Sequence, residues 1–323
     1  MSKMVAVIPV AGLGTRLWPL TKSQPKEMLP LGRKPVVEYV IEELVLSGIR
    51  RFLFITGAGK VAIENHFECN GKPTNYFGKS GQGGVLEDLG IDQPGREYVF
   101  TRQDKQLGLG HAVLCAAPMV GDRPFALALG DMIIGLHAQS RIMERMIETF
   151  EKSRADAVIA LGEVARSDVV HYGIAQPRGR IRPIFELADV IEKPRVEEAT
   201  SRLAVAGRYV FGPSIFQLLE ETPPHKNGEI LLTDAIRALI AKGGKVVGVR
   251  LAPGEQFFDI GNFKSYFQAF CQFALTDPDY GPSLRQFVRR LVKPPRSSEQ
   301  ALCVHAPIGM VCVKNPSARF GNL

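Results

Sequence analysis

The chain has 323 residues, 45% of them hydrophobic and 23% charged, which suits a large folded core and excludes global disorder. It has no run of 18 apolar residues, so no membrane-spanning helix is expected, and Met1-Ser2-Lys3 leads straight into a strand without the apolar stretch of a signal peptide. The net charge of +7 suits nucleic acid or an anionic small substrate, but no helix-turn-helix, zinc finger or aromatic RNA-binding motif accompanies it.

Val5–Val10 is short and apolar and predicts a buried strand. Gly12, Gly14, Thr15 and Arg16 follow at once, and Lys26 lies in the same segment. Glycine lets the backbone turn and approach a ligand where a side chain would block it. A turn this tight after a strand aims several N–H groups at one anion. With two cations added, the segment reads as a loop that holds a triphosphate. It is not the dinucleotide fingerprint, which needs a third glycine, nor a P-loop, which closes on Gly-Lys-Ser/Thr. Gly57-Ala58-Gly59-Lys60 comes closer to a P-loop, but Val61 stands where the hydroxyl is needed.

Pro35 opens a helix whose Val36, Val37, Val40, Ile41, Leu44 and Val45 recur at helical spacing up to Ser47-Gly48. Phe52–Thr56 predicts a second strand and Val61–Phe67 a short helix. This alternation implies a parallel sheet with right-handed crossovers and a ligand at the carboxyl ends of its strands. Glycines at 71, 78, 81, 83, 84 and 90 make residues 70–96 a long surface excursion. Tyr98–Gln103 predicts a third strand, and the Gln103 amide can both donate to and accept from a base edge. Gly108 and Gly110 precede a helix through Cys115, on which His111 reads as an ordinary helix-face or helix-start histidine. Phe125–Asp131 predicts a fourth strand, apolar until it ends in an acid. Packing explains such an acid poorly, whereas carboxylate oxygen is the preferred magnesium ligand.

His137–Arg154 predicts a helix with a core stripe of Ile142, Met143, Met146, Ile147 and Phe150, and Asp156–Glu163 a strand. Gly179-Arg180-Ile181 reads as a hairpin tip. In Val190-Ile191-Glu192-Lys193-Pro194 the proline predicts an extended Lys193. On a regular strand Glu192 and Lys193 point to opposite faces, so one ligand touching both requires a strand edge or an irregular backbone. Leu203–Phe211 predicts a strand, followed by amphipathic helices over Pro213–Glu220 and Ile230–Lys242; Thr233 and Asp234 read as helix-start residues. After a strand at Val246–Leu251, Asp259 stands beside a glycine turn, before a helix over Asn262–Ala274. Ser283–Val292 predicts a basic amphipathic helix and Lys293–Ser298 a linker. The last 25 residues leave a hairpin, a subunit contact or disorder open. Five cysteines, an odd number without a Cys-x-x-Cys pair, fit a reducing, cytoplasmic setting.

Gly12-Leu13-Gly14-Thr15-Arg16 followed by Pro25-Lys26-Glu27-Met28-Leu29-Pro30 resembles the signature of the sugar-1-phosphate nucleotidylyltransferases, and most of all its bacterial uridylyltransferase branch. The resemblance extends to Gln103 with Gly108-Leu109-Gly110-His111-Ala112-Val113, to Tyr172-Gly173, to Val190–Pro194, to Gly207-Arg208-Tyr209-Val210, to Glu229–Ala235 and to Asp259-Ile260-Gly261. It covers residues 4–275 and is weakest over 70–96; Gly130 departs from it, standing where the family usually has proline before the acid.

The resemblance implies an α/β fold, a Rossmann-like three-layer αβα sandwich with a mixed, mostly parallel sheet. It implies a catalytic domain over residues 1–275; the basic helix and tail over 276–323 lie beyond it. It implies transfer of the uridylyl group of UTP to glucose 1-phosphate, with Mg²⁺ as cofactor, no nucleic-acid or membrane partner, and a homo-oligomer. The implied roles follow residue by residue. Ala11, Gly12, Gly14 and Thr15 hold the nucleotide, Arg16 its β- and γ-phosphates, and Lys26 its α-phosphate. Glu27 helps to place the base or ribose, while Gln103 and Gly108 lie at the base. Gly173 and Glu192 hold the sugar and Lys193 its phosphate, and Asp131 and Asp259 hold the metal. Three alternatives stay open on the sequence: the same chemistry with dTTP or another sugar 1-phosphate, an inactive regulator that binds a nucleotide-sugar, and nucleic-acid binding through the basic tail, which has only charge behind it.

Overall fold

The structure is a computed structural model that describes residues 4–67 and 95–292 and the backbone of the strands Cys303–Ala306 and Gly309–Cys312. The glycine-rich segment predicted as a surface excursion and the predicted linker fall largely outside the described residues. The chain divides into two compact units, Met1–Phe273 and Ala274–Leu323.

The first unit opens with β1 (Val5–Pro9), the small ribbon β2 (Pro30–Leu31) and β3 (Lys34–Pro35), and α1 (Val36–Leu46). Then come β4 (Arg51–Thr56), α2 (Val61–Phe67), β5 (Glu97–Arg102), α3 (Gly108–Leu114) and α4 (Ala117–Val120). β6 (Phe125–Ala128), β7 (Met132–Ile134) and α5 (Ile142–Ser153) lead into β8 (Ala157–Glu163). The hairpin β9 (Gly173–Pro177) and β10 (Ile184–Glu192) precedes β11 (Leu203–Phe211), α6 (Ser214–Glu221) and α7 (Leu232–Ala241). β12 (Val246–Arg250), β13 (Phe257–Asp259) and α8 (Phe263–Leu275) follow, and α8 crosses into the second unit. That unit also holds α9 (Gly281–Leu291) and the antiparallel pair β14 (Cys303–Ala306) and β15 (Gly309–Cys312).

Among the described residues nine strands form one sheet in the order β5-β4-β1-β6-β11-β8-β12-β10-β9, with β9 also touching β11. The pairings β5–β4, β4–β1, β1–β6 and β8–β12 are parallel, and the others are antiparallel, so β10 and β11 run against the remaining seven. The sheet is buried on both faces, and the period of two decides which residue serves which core. Val7, Leu53, Ile55, Leu127 and Ile159 pack with Val113 of α3, Ile215 and Leu219 of α6 and Ile236 of α7. Their neighbours Ala6, Ile8, Phe52, Phe54, Ala126 and Val158 pack with Val40, Ile41 and Leu44 of α1 and Met143 and Met146 of α5. Helices on both sides of a mixed sheet give the expected three layers. No described helix is long and apolar enough to cross a membrane.

Three local readings are corrected. The helix expected from His137 begins at Ile142, because His137 and Ala138 have positive φ and the Ser140 hydroxyl accepts from the Ile142 N–H. A short polar side chain that bonds the backbone favours a helix start over an interior. The strand expected to run into Asp131 ends at Ala128, so the acid sits in the turn between β6 and β7. Lys193 is not extended: its φ is +42°, in the left-handed region, despite the proline that follows.

Candidate active site

The site is built where β1, β4, β5 and β6 end. A third cluster of buried residues supports it: Leu17, Leu29, Leu31, Val36, Tyr39, Ile133, Phe258 and Ile260. Leu17 is fully buried, and burying such a side chain stabilises by about 1.5–3 kcal/mol, enough to pin the loop after β1. Gly14 takes φ +67°, and its carbonyl accepts from the Thr21 hydroxyl at 2.8 Å. The Ala11 carbonyl accepts from the Gln106 amide at 2.8 Å, joining this loop to the one after β5. Gly12 and Thr15 are exposed on the loop, and a Cβ on Gly12 would lie 3.6 Å from the Lys26 ammonium.

Lys26 Nζ donates to Asp131 Oδ2 at 2.5 Å. Burial alone would lower the Lys26 pKa, but the charges of Asp131 and then Glu27 raise it well above the usual lysine range. Burial pushes the Asp131 carboxyl up, and the Lys26 ammonium more than reverses that, holding it below the usual range. Asp259 ends β13 and pairs with Met132 of β7, while the Ile260 N–H donates to the Asp131 carbonyl at 3.0 Å. The ribbon thus sets the two acids side by side. Burial, and next the Asp131 charge, push the Asp259 carboxyl up to about 6.

Arg16 lies against the same acid. A Cβ on Gly261 would come within 2.7 Å of Asp259 Oδ1 and 2.9 Å of an Arg16 guanidinium nitrogen. A side chain at the glycine of Asp-x-Gly would collide with both groups, and the Arg16 charge partly offsets the rise at Asp259. Glu27, by contrast, is 1% exposed, and its carboxylate accepts from Lys60 at 2.9 Å. Lys60, from the segment that resembled a P-loop, is itself buried at 5% exposure.

Gln103 follows β5 and is buried, its amide donating to the Gly108 carbonyl at 3.0 Å. Gly108 has φ +87°, and a Cβ there would come within 2.9 Å of Glu229. This close approach explains the glycine.

At the other end of the site Gly173 and Glu192 face each other in the β9–β10 register. A Cβ on Gly173 would lie 3.3 Å from Glu192 Oε2. That oxygen accepts from the Thr233 hydroxyl at 2.7 Å, and Oε1 lies 3.2 Å from Lys193 Nζ. The left-handed turn at Lys193 resolves the strand-face conflict: it brings both side chains to one side. Tyr172 links the two ends. Its carbonyl accepts from the Lys193 N–H at 3.0 Å, and its hydroxyl is pushed up to about 12 by burial first and then by the Asp259 charge.

Four supporting residues carry no signal as site residues in the sequence reading: Lys60, Thr233, Glu43 and Arg208. Arg208 and Glu43 are fully buried and paired at 2.7 Å. Arg208 also donates to the carbonyls of Met132 at 2.9 Å and Leu129 at 3.4 Å, one on each side of the Gly130-Asp131 turn. Thr233, Lys60 and Arg208 lay within segments already singled out, though not as site residues; Glu43 stands out only once its partner is known.

The nucleotidyl transferase family matches residues 5–275. A UTP–glucose-1-phosphate uridylyltransferase of Bacillus subtilis is 37% identical over 288 residues, covering 89% of this chain and 95% of the relative. The UTP-bound UGPase of Acinetobacter baumannii superposes with a TM-score of 0.81 at 36% identity, covering 89% of this chain and 99% of that one. A UDP-glucose pyrophosphorylase complexed with UDP-glucose gives a TM-score of 0.74 at 32% identity, covering 84% and 98%. The match takes in the glycine loop, both acids and the Glu192-Lys193 pair, and the chain belongs to the nucleotidyl transferase family.

Proposed function

We propose that this chain transfers the uridylyl group of UTP to glucose 1-phosphate, giving UDP-glucose and pyrophosphate. The observation that carries the reading is the cluster at the mouth of the glycine loop, where Lys26, Asp131, Asp259 and Arg16 meet. The relatives with that activity, and a neighbour with UTP bound, support the choice of substrates.

A phosphate oxygen of glucose 1-phosphate is already a nucleophile near neutral pH. It attacks the α-phosphorus of UTP in line; a P–O bond forms, and the bond to the β-phosphate oxygen breaks to release pyrophosphate. No proton has to move, so positioning and charge stabilisation do the work. Gly12, Gly14 and Thr15, with the Ala11 backbone, cradle the triphosphate. Arg16 neutralises its β- and γ-phosphates. Lys26, held charged by Asp131, faces the α-phosphate and the negative charge that develops there. Gln103 and Gly108 meet the base. Gly173 and Glu192 hold the glucose, and Lys193 its phosphate. Burial gives Glu27 a different task from the expected contact with base or ribose: paired with Lys60, it anchors the turn that presents Lys26.

The two acids fit Mg²⁺. They are hard oxygen donors set side by side, and their mutual repulsion is of the kind a divalent cation relieves. Among the described residues no group of three or more His, Cys, Asp or Glu could hold a metal. That suits a cation shared between one or two carboxylates and substrate phosphates. Asp131 and Asp259 would hold it, and it would supply charge neutralisation for the phosphates.

Pyrophosphate release, measured over a matrix of nucleoside triphosphates and sugar 1-phosphates, tests the reading. Release with UTP and glucose 1-phosphate, abolished by EDTA, is expected. Release with a different pair alone would overturn the substrates, and no release with any pair would overturn the reaction.

A further inference from the structure

Gln103 does more than end a strand. Its backbone N–H donates to the Thr56 carbonyl at 2.8 Å, which anchors the residue to the sheet. Its side-chain Nε2 has two acceptors, the Gly108 carbonyl at 3.0 Å and His111 Nδ1 at 2.9 Å. An amide nitrogen has two hydrogens, so both are committed. Exchanging the amide's oxygen and nitrogen would set Oε1 against a carbonyl oxygen and a ring lone pair. The orientation is thus chemically fixed as long as both acceptors remain. Among the described residues nothing donates to Gln103 Oε1, which leaves it as an acceptor.

The two acceptors are themselves held. The Gly110 N–H donates to the Ile230 carbonyl at 2.9 Å and the Ile230 N–H to that of Leu107 at 2.8 Å, clamping the first turn of α3. His111 lies one turn beyond Gly108 on that helix. For Nδ1 to accept, the ring proton must sit on Nε2. Cys115 Sγ lies 3.9 Å from the same Nδ1.

We propose that His111 is a positioning residue for base selection. It locks the Gln103 amide so that Oε1 is offered to the nucleobase as an acceptor. A base with an N–H at the contacted ring position, as uracil has at N3, is selected over cytosine, which carries a lone pair there. This rests on the reading that Gln103 meets the base. Without His111, one amide hydrogen loses its acceptor and the amide can turn over to offer its nitrogen instead.

The test measures UTP and CTP affinities by calorimetry, which needs no turnover, on the full chain and on His111→Ala, His111→Gln, His111→Asn and Gln103→Ala. The wild type should prefer UTP. His111→Ala should lower the UTP-to-CTP preference about tenfold, the worth of one hydrogen bond to the base. His111→Asn, which can restore an acceptor near the Nδ1 position, should recover most of it. His111→Gln, whose acceptor falls near Nε2, should not, and it also serves if the alanine variant fails to fold in a thermal scan. A preference unchanged in His111→Ala and His111→Gln but lost in Gln103→Ala would overturn the role of His111. A preference unchanged in Gln103→Ala would instead overturn the placement of the base.

Discussion

At the nucleotide end of the site Arg16 is exposed, but the charged groups around it are sunk into the protein: Lys26 and Asp131 are each 18% exposed, and Glu27 and Lys60 are nearly sealed. At the sugar end Glu192 is 27% exposed and Lys193 59%. The sunken charges are held by charged partners on other elements. The open ones are held by their own pairing at 3.2 Å, one hydroxyl and an irregular turn of backbone. The difference matches the chemistry proposed for each end. Charge that develops at the α-phosphate is best met by groups that need no rearrangement, in a region where water screens them little. The sugar 1-phosphate needs hydrogen bonds for its neutral ring and a cation for its phosphate, and it must enter and leave.

The most severe way to break the nucleotide end lies behind it. Arg208→Met strands the fully buried Glu43 carboxylate, which burial already pushes up against the pull of Arg208. Breaking such a pair from one side costs about 3–5 kcal/mol. Urea unfolding should show the loss, and the double variant Arg208→Met with Glu43→Leu should recover more than half of it. A double variant as unstable as the single one would mean that the carbonyl contacts around Asp131, not the stranded charge, dominate.

Lys26→Ala comes next and acts on rate. Removing a preformed donor from the reacting phosphate costs about 3–4 kcal/mol, or about 10²–10³ in kcat. Lys193→Ala, at the exposed end, should instead raise the KM for glucose 1-phosphate with a smaller change in kcat. Equal losses of kcat in the two variants would erase the distinction between the ends.

Much of the nucleotide end was legible because its signals are local. A short apolar run, two glycines, an arginine and a Pro-Lys-Glu-Met-Leu-Pro turn sit within residues 5–30. The strands alternate as their faces require, and each core fills as the pattern predicts. What could not be read was pairing across the chain. Arg208 finds Glu43 from 165 positions away and Lys60 finds Glu27 from 33, and no periodicity links them. Lys193 failed for the opposite reason: the local rule for a residue before proline was clear, and the context at the end of β10 overrode it.

Gly130 sharpens the point at a smaller scale. A Cβ there would lie 2.6 Å from Val10 Cγ1, so the departure from proline is matched by a bulky neighbour on the loop after β1. Overpacking of this kind costs about 1–3 kcal/mol. Gly130→Ala should lower the thermal midpoint, and Val10→Ala in the same chain should restore it. An additive double variant would show that the two positions are not coupled.

Thr233→Val probes the open end most gently. Valine keeps the shape of threonine but removes the hydroxyl that donates to Glu192 Oε2 at 2.7 Å. A hydrogen bond to a charged group contributes about 1.5–3 kcal/mol when sealed from water. Glu192 is partly exposed, so water replaces part of the loss and about 1 kcal/mol should remain. That corresponds to a roughly fivefold rise in the KM for glucose 1-phosphate. Because Thr233 touches neither the glycine loop nor Asp131, the KM for UTP should hold. A matched rise in both constants would mean that the hydroxyl supports the whole cleft, and the sugar end would then be less independent than its exposure implies.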